Sequence, residues 1–273
     1  MKRLEEILWK KFGGGNERLY GALQFLLEDA NRTSGKPGTD FVTSLLERYT
    51  FISRDTYDSG IECIADFIST EFDLARTLIC ASTADHAKDS AQMVLYDLTT
   101  ALGFIGHLNV STANRYDRAQ VFAGKVDDIL LVDEFLGTGR SFIGRLKEIT
   151  SHFKNKAIPV PNIHAFVLAG MDFGLHRVAP YFKTIHCYEA LRPGLRGFLS
   201  GLPLKEAYTI LDNMEAVLAP NIGSQALPKH GEGECEALYA RAKGNCPNSV
   251  LPMFWWSQSA NGQGRTPPFP RVF

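Results

Sequence analysis

Asp133 and Glu134 close an unbroken apolar run, Ile129, Leu130, Leu131 and Val132, and a glycine-rich segment follows: Phe135, Leu136, Gly137, Thr138, Gly139, Arg140 and Ser141. Ionised carboxylates only accept hydrogen bonds, so an adjacent pair suits a ligand that presents hydroxyl donors, as the vicinal hydroxyls of a sugar do. The two glycines remove Cβ atoms where a backbone must approach an anion. Successive amide N–H groups in such a turn, joined to the positive end of a following helix, hold phosphate. Thr138 and Ser141 add hydroxyl groups to the same turn. Two acids beside an anion loop would repel a bare phosphate. They make sense if the ligand is a sugar phosphate, with the acids on the sugar and the amides on the phosphate. Arg140 either pairs with that phosphate or lies on the helix surface.

Other residues with chemical potential are less well spaced. Cys63, Cys80, Cys187, Cys235 and Cys246 form no CxxC pair, and Cys80 and Cys187 read as small hydrophobes in strand-like runs. His230, Cys235 and Cys246 match no zinc module, so no metal is expected there. His107, His164, His176 and His186 lie in or beside apolar segments and read as structural. Gly13, Gly14 and Gly15 precede no Lys-Ser/Thr pair and read as a helix stop, not a phosphate loop.

The motif needs a strand before it and a helix after it, and the surrounding sequence alternates the two. Leu4, Ile7, Leu8 and Phe12 mark a first amphipathic helix, and Leu19, Leu23, Leu26 and Leu27 a second. Residues 31–38 read as a loop by composition. Helices are predicted over 40–47 and 57–72, the latter with Ile61, Ile64, Ala65 and Ile68 as its stripe. The period then changes. Strands are predicted at 78–81, 107–111, 129–132, 163–169 and 184–188, and helices at 92–102, 142–153 and 175–182. Apolar strands alternating with helices predict a mostly parallel sheet covered by helices. Asp127 and Asp128 read as exposed turn residues before the motif strand. A helix over 204–218 follows, with Pro203 at its first position. From residue 219 the chain is rich in Pro and Gly yet carries Phe254, Trp255, Trp256 and Phe269, so it packs, either as a cover over a site or as a wrap that completes a core. This predicts three regions: helical 1–73, α/β core 74–218 and tail 219–273.

With 29 Lys+Arg against 30 Asp+Glu, the net charge of -1 offers no global attraction for nucleic acid. The composition, 45% hydrophobic and 22% charged, is that of a globular chain. No apolar run approaches the roughly 20 residues that span a bilayer. The opening MKRLEEILWKKF lacks the apolar core and cleavage site of a secretory signal, so a cytoplasmic protein is expected.

Residues 129–141 resemble the 5-phosphoribosyl-1-pyrophosphate (PRPP) motif of type I phosphoribosyltransferases: an apolar strand, two acids, two apolar residues, a small residue, Thr-Gly, a variable residue, then Ser or Thr. Gly137 stands where Ala, Thr or Asp is commoner. The chain as a whole is similar to PRTase-CE, a phosphoribosyltransferase-like family of bacterial conflict and defence systems. That similarity rests on the helical first third, the motif, and the tail segments NCPNSVLPMFWW and PPFPR. It implies a type I phosphoribosyltransferase-like α/β fold, a parallel sheet flanked by helices, with an N-terminal helical region and an irregular aromatic-rich tail.

The resemblance further implies that Asp133 and Glu134 hold the ribose hydroxyls and that Phe135 to Ser141 surround the 5-phosphate. It puts the pyrophosphate loop at Ser82, Thr83, Ala84 and Asp85, although the basic or Gly-rich signature of many relatives is missing. Lys88 either helps to neutralise pyrophosphate or lies exposed at a helix start. A mobile loop falls at 111–118, where Arg115 and Arg118 either close over pyrophosphate or belong to a solvated hairpin. Mg²⁺ is implied as a cofactor held mainly by PRPP. The implied reaction is displacement at ribose C1 with loss of pyrophosphate.

Three functions share this pocket: an enzyme that transfers or cleaves a phosphoribosyl group, a sensor that binds PRPP or a nucleotide without turnover, and a protein-interaction module that uses the aromatic tail. Expected partners are PRPP or a related sugar phosphate or nucleotide, a protein of the same defence operon, and a second copy in a homodimer. No membrane partner is expected.

Overall fold

The computed structural model describes residues 2–12, 17–84 and 89–272. In chain order the first elements are α1 (Lys2–Phe12), α2 (Glu17–Arg48), β1 (Thr50–Ile52), α3 (Arg54–Glu71), β2 (Thr77–Ala81), α4 (Ser90–Phe104), β3 (Ser111–Ala113), β4 (Asp128–Leu136) and α5 (Arg140–Asn155). There follow β5 (Asn162–Met171), α6 (Asp172–Val178), β6 (Ile185–Leu191), α7 (Gly201–Glu215), β7 (Asn221–Ile222), β8 (Gln225–Ala226) and β9 (Tyr239–Arg241). By packing the chain forms two compact units, Asp55–Leu191 and the pair of segments Met1–Arg54 and Arg192–Phe273. α3 thus groups with the sheet and α7 with the front and tail, a division that departs from the order along the sequence.

The first unit is a five-stranded sheet in the order β3-β2-β4-β5-β6, parallel throughout. Strands buried on both faces need apolar residues at consecutive positions, which is why β2 and β5 read as unbroken runs. On one face Leu78, Cys80, Ile129, Leu131, Ala165 and Val167 pack against Phe142, Ile149 and Phe153 of α5. Each such Leu, Ile or Phe contributes about 1.5–3 kcal/mol on full burial. On the other face Phe67 of α3, and Phe72 just beyond it, each lie 5.9 Å from Phe166 between ring centroids. Gly60 lets α3 come this close, since a Cβ there would sit 2.6 Å from Leu168 Cδ1.

Several elements differ from the sequence reading. β4 runs on to Leu136, so Asp133 and Glu134 lie inside the strand and not at its end. Residues 107–110 form no strand, and β3 begins at Ser111 as the sheet edge. Residues 111–118, read as a mobile loop or a solvated hairpin, form this edge strand and the start of a 3-10 turn over Tyr116–Phe122, with Ala113, Tyr116 and Ala119 buried. The spacing of Tyr116 and Ala119 is one turn of a 3-10 helix. Asp128 belongs to β4 and accepts hydrogen bonds from Asn162 and His164 at 3.0 Å, while Asp127 pairs with exposed Arg76. Gly13, Gly14, Gly15, Asp85 and Lys88 lie outside the described residues.

The second unit is built from the two ends of the chain. α2 passes through the expected loop at 31–38 with a break at Gly35 (φ 61°), and Pro37 follows where a first-turn proline loses no needed N–H. α7 starts at Gly201, so Pro203 lies within its first turn and not at its first position. β1 pairs in parallel with β9 from the tail. Tyr49 stacks on Phe269 at 4.8 Å and meets Phe254 edge-on at 5.0 Å. Trp255 and Trp256 are fully buried, and Trp255 Nε1 donates to Val250 O at 2.8 Å. Buried Arg265 pairs with Asp29 at 3.1 Å and donates to Trp256 O at 2.9 Å. The aromatic tail is therefore interior to its own unit. Among the described residues no helix is long and apolar enough to cross a membrane.

Candidate functional site

Asp133 lies one residue past the last β2–β4 pair, Ala81 with Val132, toward the C-terminal end of the strands, at which open parallel sheets bind ligands. Its side chain keeps 13% exposure. Oδ2 accepts a very short hydrogen bond from the Ser82 hydroxyl. Arg145 of α5 bridges the pair, with Nη1 2.9 Å from Ser82 Oγ and 3.4 Å from Asp133 Oδ2. Oδ1 accepts from the Glu134 amide at 2.8 Å. Burial pushes the Asp133 carboxyl up to about 6; Arg145, Ser82 and the Glu134 amide pull it down, and the nearby charge of Asp89 pushes it further up.

Glu134 follows Asp133 in the strand. Successive side chains of a strand point to opposite faces, and only 1% of Glu134 is exposed.

The glycine-rich turn is held from behind. Gly139 caps α5 in the left-handed region (φ 76°) with no side chain of its own, and the Thr138 hydroxyl accepts from the Arg140 amide at 3.4 Å. A Cβ on Gly139 would meet Val178 Cγ1 at 2.5 Å and Gly174 O at 3.0 Å. Gly174 in turn approaches so closely that a Cβ there would lie 2.0 Å from Gly137 O. Arg177 of α6 donates from Nη1 to Thr138 O at 2.9 Å. Arg140 and Ser141 are exposed, Thr138 and Phe135 are half-buried, and Leu136 is buried in the core. The first-turn amides of a sixteen-residue helix and the turn before it make an end of partial positive charge, which suits an anion.

The β2 loop runs alongside. Ser82 N donates to Val132 O at 2.9 Å, and Thr83 O accepts from Tyr116 N at 3.0 Å, so Ser82, Thr83 and Ala84 lie between β4 and the segment after β3. At that sheet edge a groove of about 590 Å³ is lined by Gln92, Thr112, Asn114, Arg115, Arg118 and Val121. Arg115 pairs with Asp117 at 2.8 Å, and Arg118 is exposed. The predicted residues Ser82, Asp133, Arg115 and Arg118 thus all lie toward the same end of the sheet.

Arg145 and Arg177 were not visible as site residues in the sequence. Arg145 lies one helical turn beyond Ser141, and that i, i+4 spacing was the available signal. Arg177 is distant in sequence from the loop that it holds, and no spacing rule points to it.

The sequence model of the PRTase-CE family matches residues 34–271. The chain belongs to the PRTase-CE family. The phosphoribosyltransferase-like identity suggested by the motif is borne out at the level of family, and the parallel sheet flanked by helices is the expected architecture. No curated protein matches this PRTase-CE chain. Among solved structures it is similar to a hypothetical protein from Neisseria gonorrhoeae with bound ppGpp, at 12% identity and TM-score 0.36, covering 59% of this chain and 96% of that one. It is also similar to the xanthine-guanine-hypoxanthine phosphoribosyltransferase of Helicobacter pylori, at 11% identity and TM-score 0.34, covering 52% and 88%. A third is the HGPRTase of Leishmania tarentolae in complex with GMP, at 12% identity and TM-score 0.34, covering 52% and 80%. Superpositions this loose assign neither ligand nor activity to the PRTase-CE chain.

Proposed function

We propose that this PRTase-CE protein binds PRPP, or a closely related sugar phosphate or nucleotide, and transfers or cleaves its phosphoribosyl group with loss of pyrophosphate. The observation that supports the reading is that Asp133, toward the C-terminal end of β4, is followed by the Gly137–Thr138–Gly139 turn and the N-terminus of α5. In this reading Asp133 accepts from a ribose hydroxyl. Backbone amides of residues 137–141, with the hydroxyls of Thr138 and Ser141, hold the 5-phosphate. Ser82, Thr83 and Ala84 face the pyrophosphate, and Arg115 and Arg118 supply positive charge from the sheet edge. Glu134 shapes the strand from the opposite face.

The reaction breaks the bond from ribose C1 to the pyrophosphate oxygen, whose electron pair leaves with pyrophosphate, while an acceptor forms a new bond at C1. The chain's residues act by positioning and by stabilising charge. Asp133 favours positive charge that develops on the ribose. Mg²⁺ takes hard oxygen donors in octahedral geometry. Asp133 and Ser82 would offer oxygens to such an ion, which PRPP itself would mainly hold because Arg145 already lies beside them. When bound, the ion offsets charge on the leaving pyrophosphate. The protein is proposed to act in the cytoplasm, as a homodimer, within a bacterial anti-phage defence system and beside a protein of the same operon.

A second reading, a PRPP or nucleotide sensor without turnover, is favoured by one observation: Ser82 and Arg145 already occupy Asp133. The two are separated by incubating the protein with Mg²⁺–PRPP and a panel of acceptors, water included, and measuring released pyrophosphate. Release that is lost in Asp133→Asn supports transfer. Saturable binding with no release across the panel leaves the sensor.

A further inference from the structure

The last turn of α7 carries two carboxylates, Asp212 and Glu215, and no basic residue. A helix C-terminus bears partial negative charge and favours cations, so this placement is the reverse of the usual one. His230, from the turn after β8, faces both acids. Its Nε2 lies 2.9 Å from Asp212 Oδ1 and 3.9 Å from Glu215 Oε2. Its backbone N–H also donates to Glu215, at 3.0 and 3.2 Å to the two oxygens. One residue therefore aims its amide and its ring nitrogen at the same buried carboxylate. His230 adopts a left-handed backbone (φ 57°), uncommon for a side chain other than Gly or Asn, and stacking on Tyr208 at 5.3 Å holds its ring.

One ligand atom from each of Asp212, Glu215 and His230 falls within 4.8 Å of the others. The Glu215 side chain is 1% exposed, His230 17% and Asp212 45%, so the cluster is closed at its base and open to solvent on one side. We infer that Asp212, Glu215 and His230 form a binding site for a divalent transition-metal ion. The donor set of one imidazole nitrogen and two carboxylate oxygens suits zinc or manganese better than magnesium or calcium, because hard alkaline-earth ions take oxygen alone. Three protein ligands leave a position for water or a bound group. Lys229 Nζ lies 2.8 Å from Asp212 Oδ1 and is 61% exposed, so it competes for that oxygen and is free to swing away. In the sequence His230 stood near only Cys235 and Cys246, a set that matches no zinc module; both thiols are buried, and the two carboxylates that face His230 come from α7. This site belongs to the second unit and stands apart from the sugar-phosphate reading.

The test is calorimetric titration of Zn²⁺ and, separately, Mn²⁺ into the full chain. The protein is stripped with chelator, carries no histidine tag, and has Cys63→Ser to remove the one exposed thiol. The expected result is one saturable equivalent, weakened at least about tenfold in His230→Gln and in Asp212→Asn, and unchanged or tightened in Lys229→Ala. Circular dichroism checks that each variant is folded; Asp212 is half-exposed, so its variant keeps the test valid if His230→Gln unfolds. Absence of saturable binding in the parent, or equal affinity in both ligand variants, would overturn the site. A Lys229→Ala variant that loses metal along with stability would show an ion-pair cluster instead.

Discussion

Arg145 reaches back from the second turn of α5 to place Nη1 3.4 Å from Asp133 Oδ2. Its positive charge pulls down a carboxyl that burial pushes up. Arg145→Met removes that support and raises the Asp133 carboxyl above its present value of about 6. At pH 7 the variant should bind Mg²⁺–PRPP more weakly, and its affinity should recover as pH rises. Titration calorimetry at pH 7 and pH 8.5 checks this; equal loss at both values would assign Arg145 to direct ligand contact.

The same carboxyl sets a pH dependence. Its folded value, about 6, lies above the ordinary 3.8. The stability that it contributes is therefore fully present below about pH 4 and is lost as pH rises through 6. Thermal unfolding from pH 4 to pH 8 should show a decline that is shallower in Asp133→Asn. Ligand affinity runs the opposite way, because the ionised form accepts from ribose: it should fall about tenfold per unit below pH 6 in the wild type.

Gly139 has both a left-handed backbone and no room for a Cβ. Gly139→Ala should cost about 1–3 kcal/mol, read as a Tm lowered by several degrees, and should weaken phosphate binding. Arg177→Ala removes only the bond to Thr138 O from an exposed side chain, so it should loosen the turn and weaken binding with Tm nearly unchanged. A matched pair of melting curves and titrations separates the two.

Trp255 is fully buried, edge-on to Trp256 at 5.2 Å and beneath the Arg271 guanidinium at 5.6 Å. Trp255→Ala should cost about 3–5 kcal/mol, as large aromatic truncations in cores do. Urea denaturation followed by circular dichroism would measure it.

What the sequence revealed follows what each residue answers to. The strand runs were legible because a parallel sheet covered on both faces requires consecutive apolar residues, and Ile129 to Val132 could be little else. The motif was legible because Gly139 is fixed by backbone conformation and close approach, both local demands. The burial of Glu134 was not legible, because adjacency to Asp133 says nothing about how far β4 continues past the acids, here to Leu136. The burial of Ala113, Tyr116 and Ala119 was hidden by the charges around them. Arg145 carried only the i, i+4 spacing from Ser141, whereas Arg177 and the grouping of Asp212 with His230 arise from tertiary packing, which no short spacing encodes.

The most direct measurement compares Mg²⁺–PRPP binding to the wild type, Asp133→Asn and Glu134→Gln by titration calorimetry at pH 7.5. The account predicts measurable binding in the wild type, a loss of about ten- to a hundredfold in Asp133→Asn, as removal of a charged hydrogen-bond acceptor entails, and near wild-type affinity in folded Glu134→Gln. Equal affinity in Asp133→Asn and the wild type would contradict it.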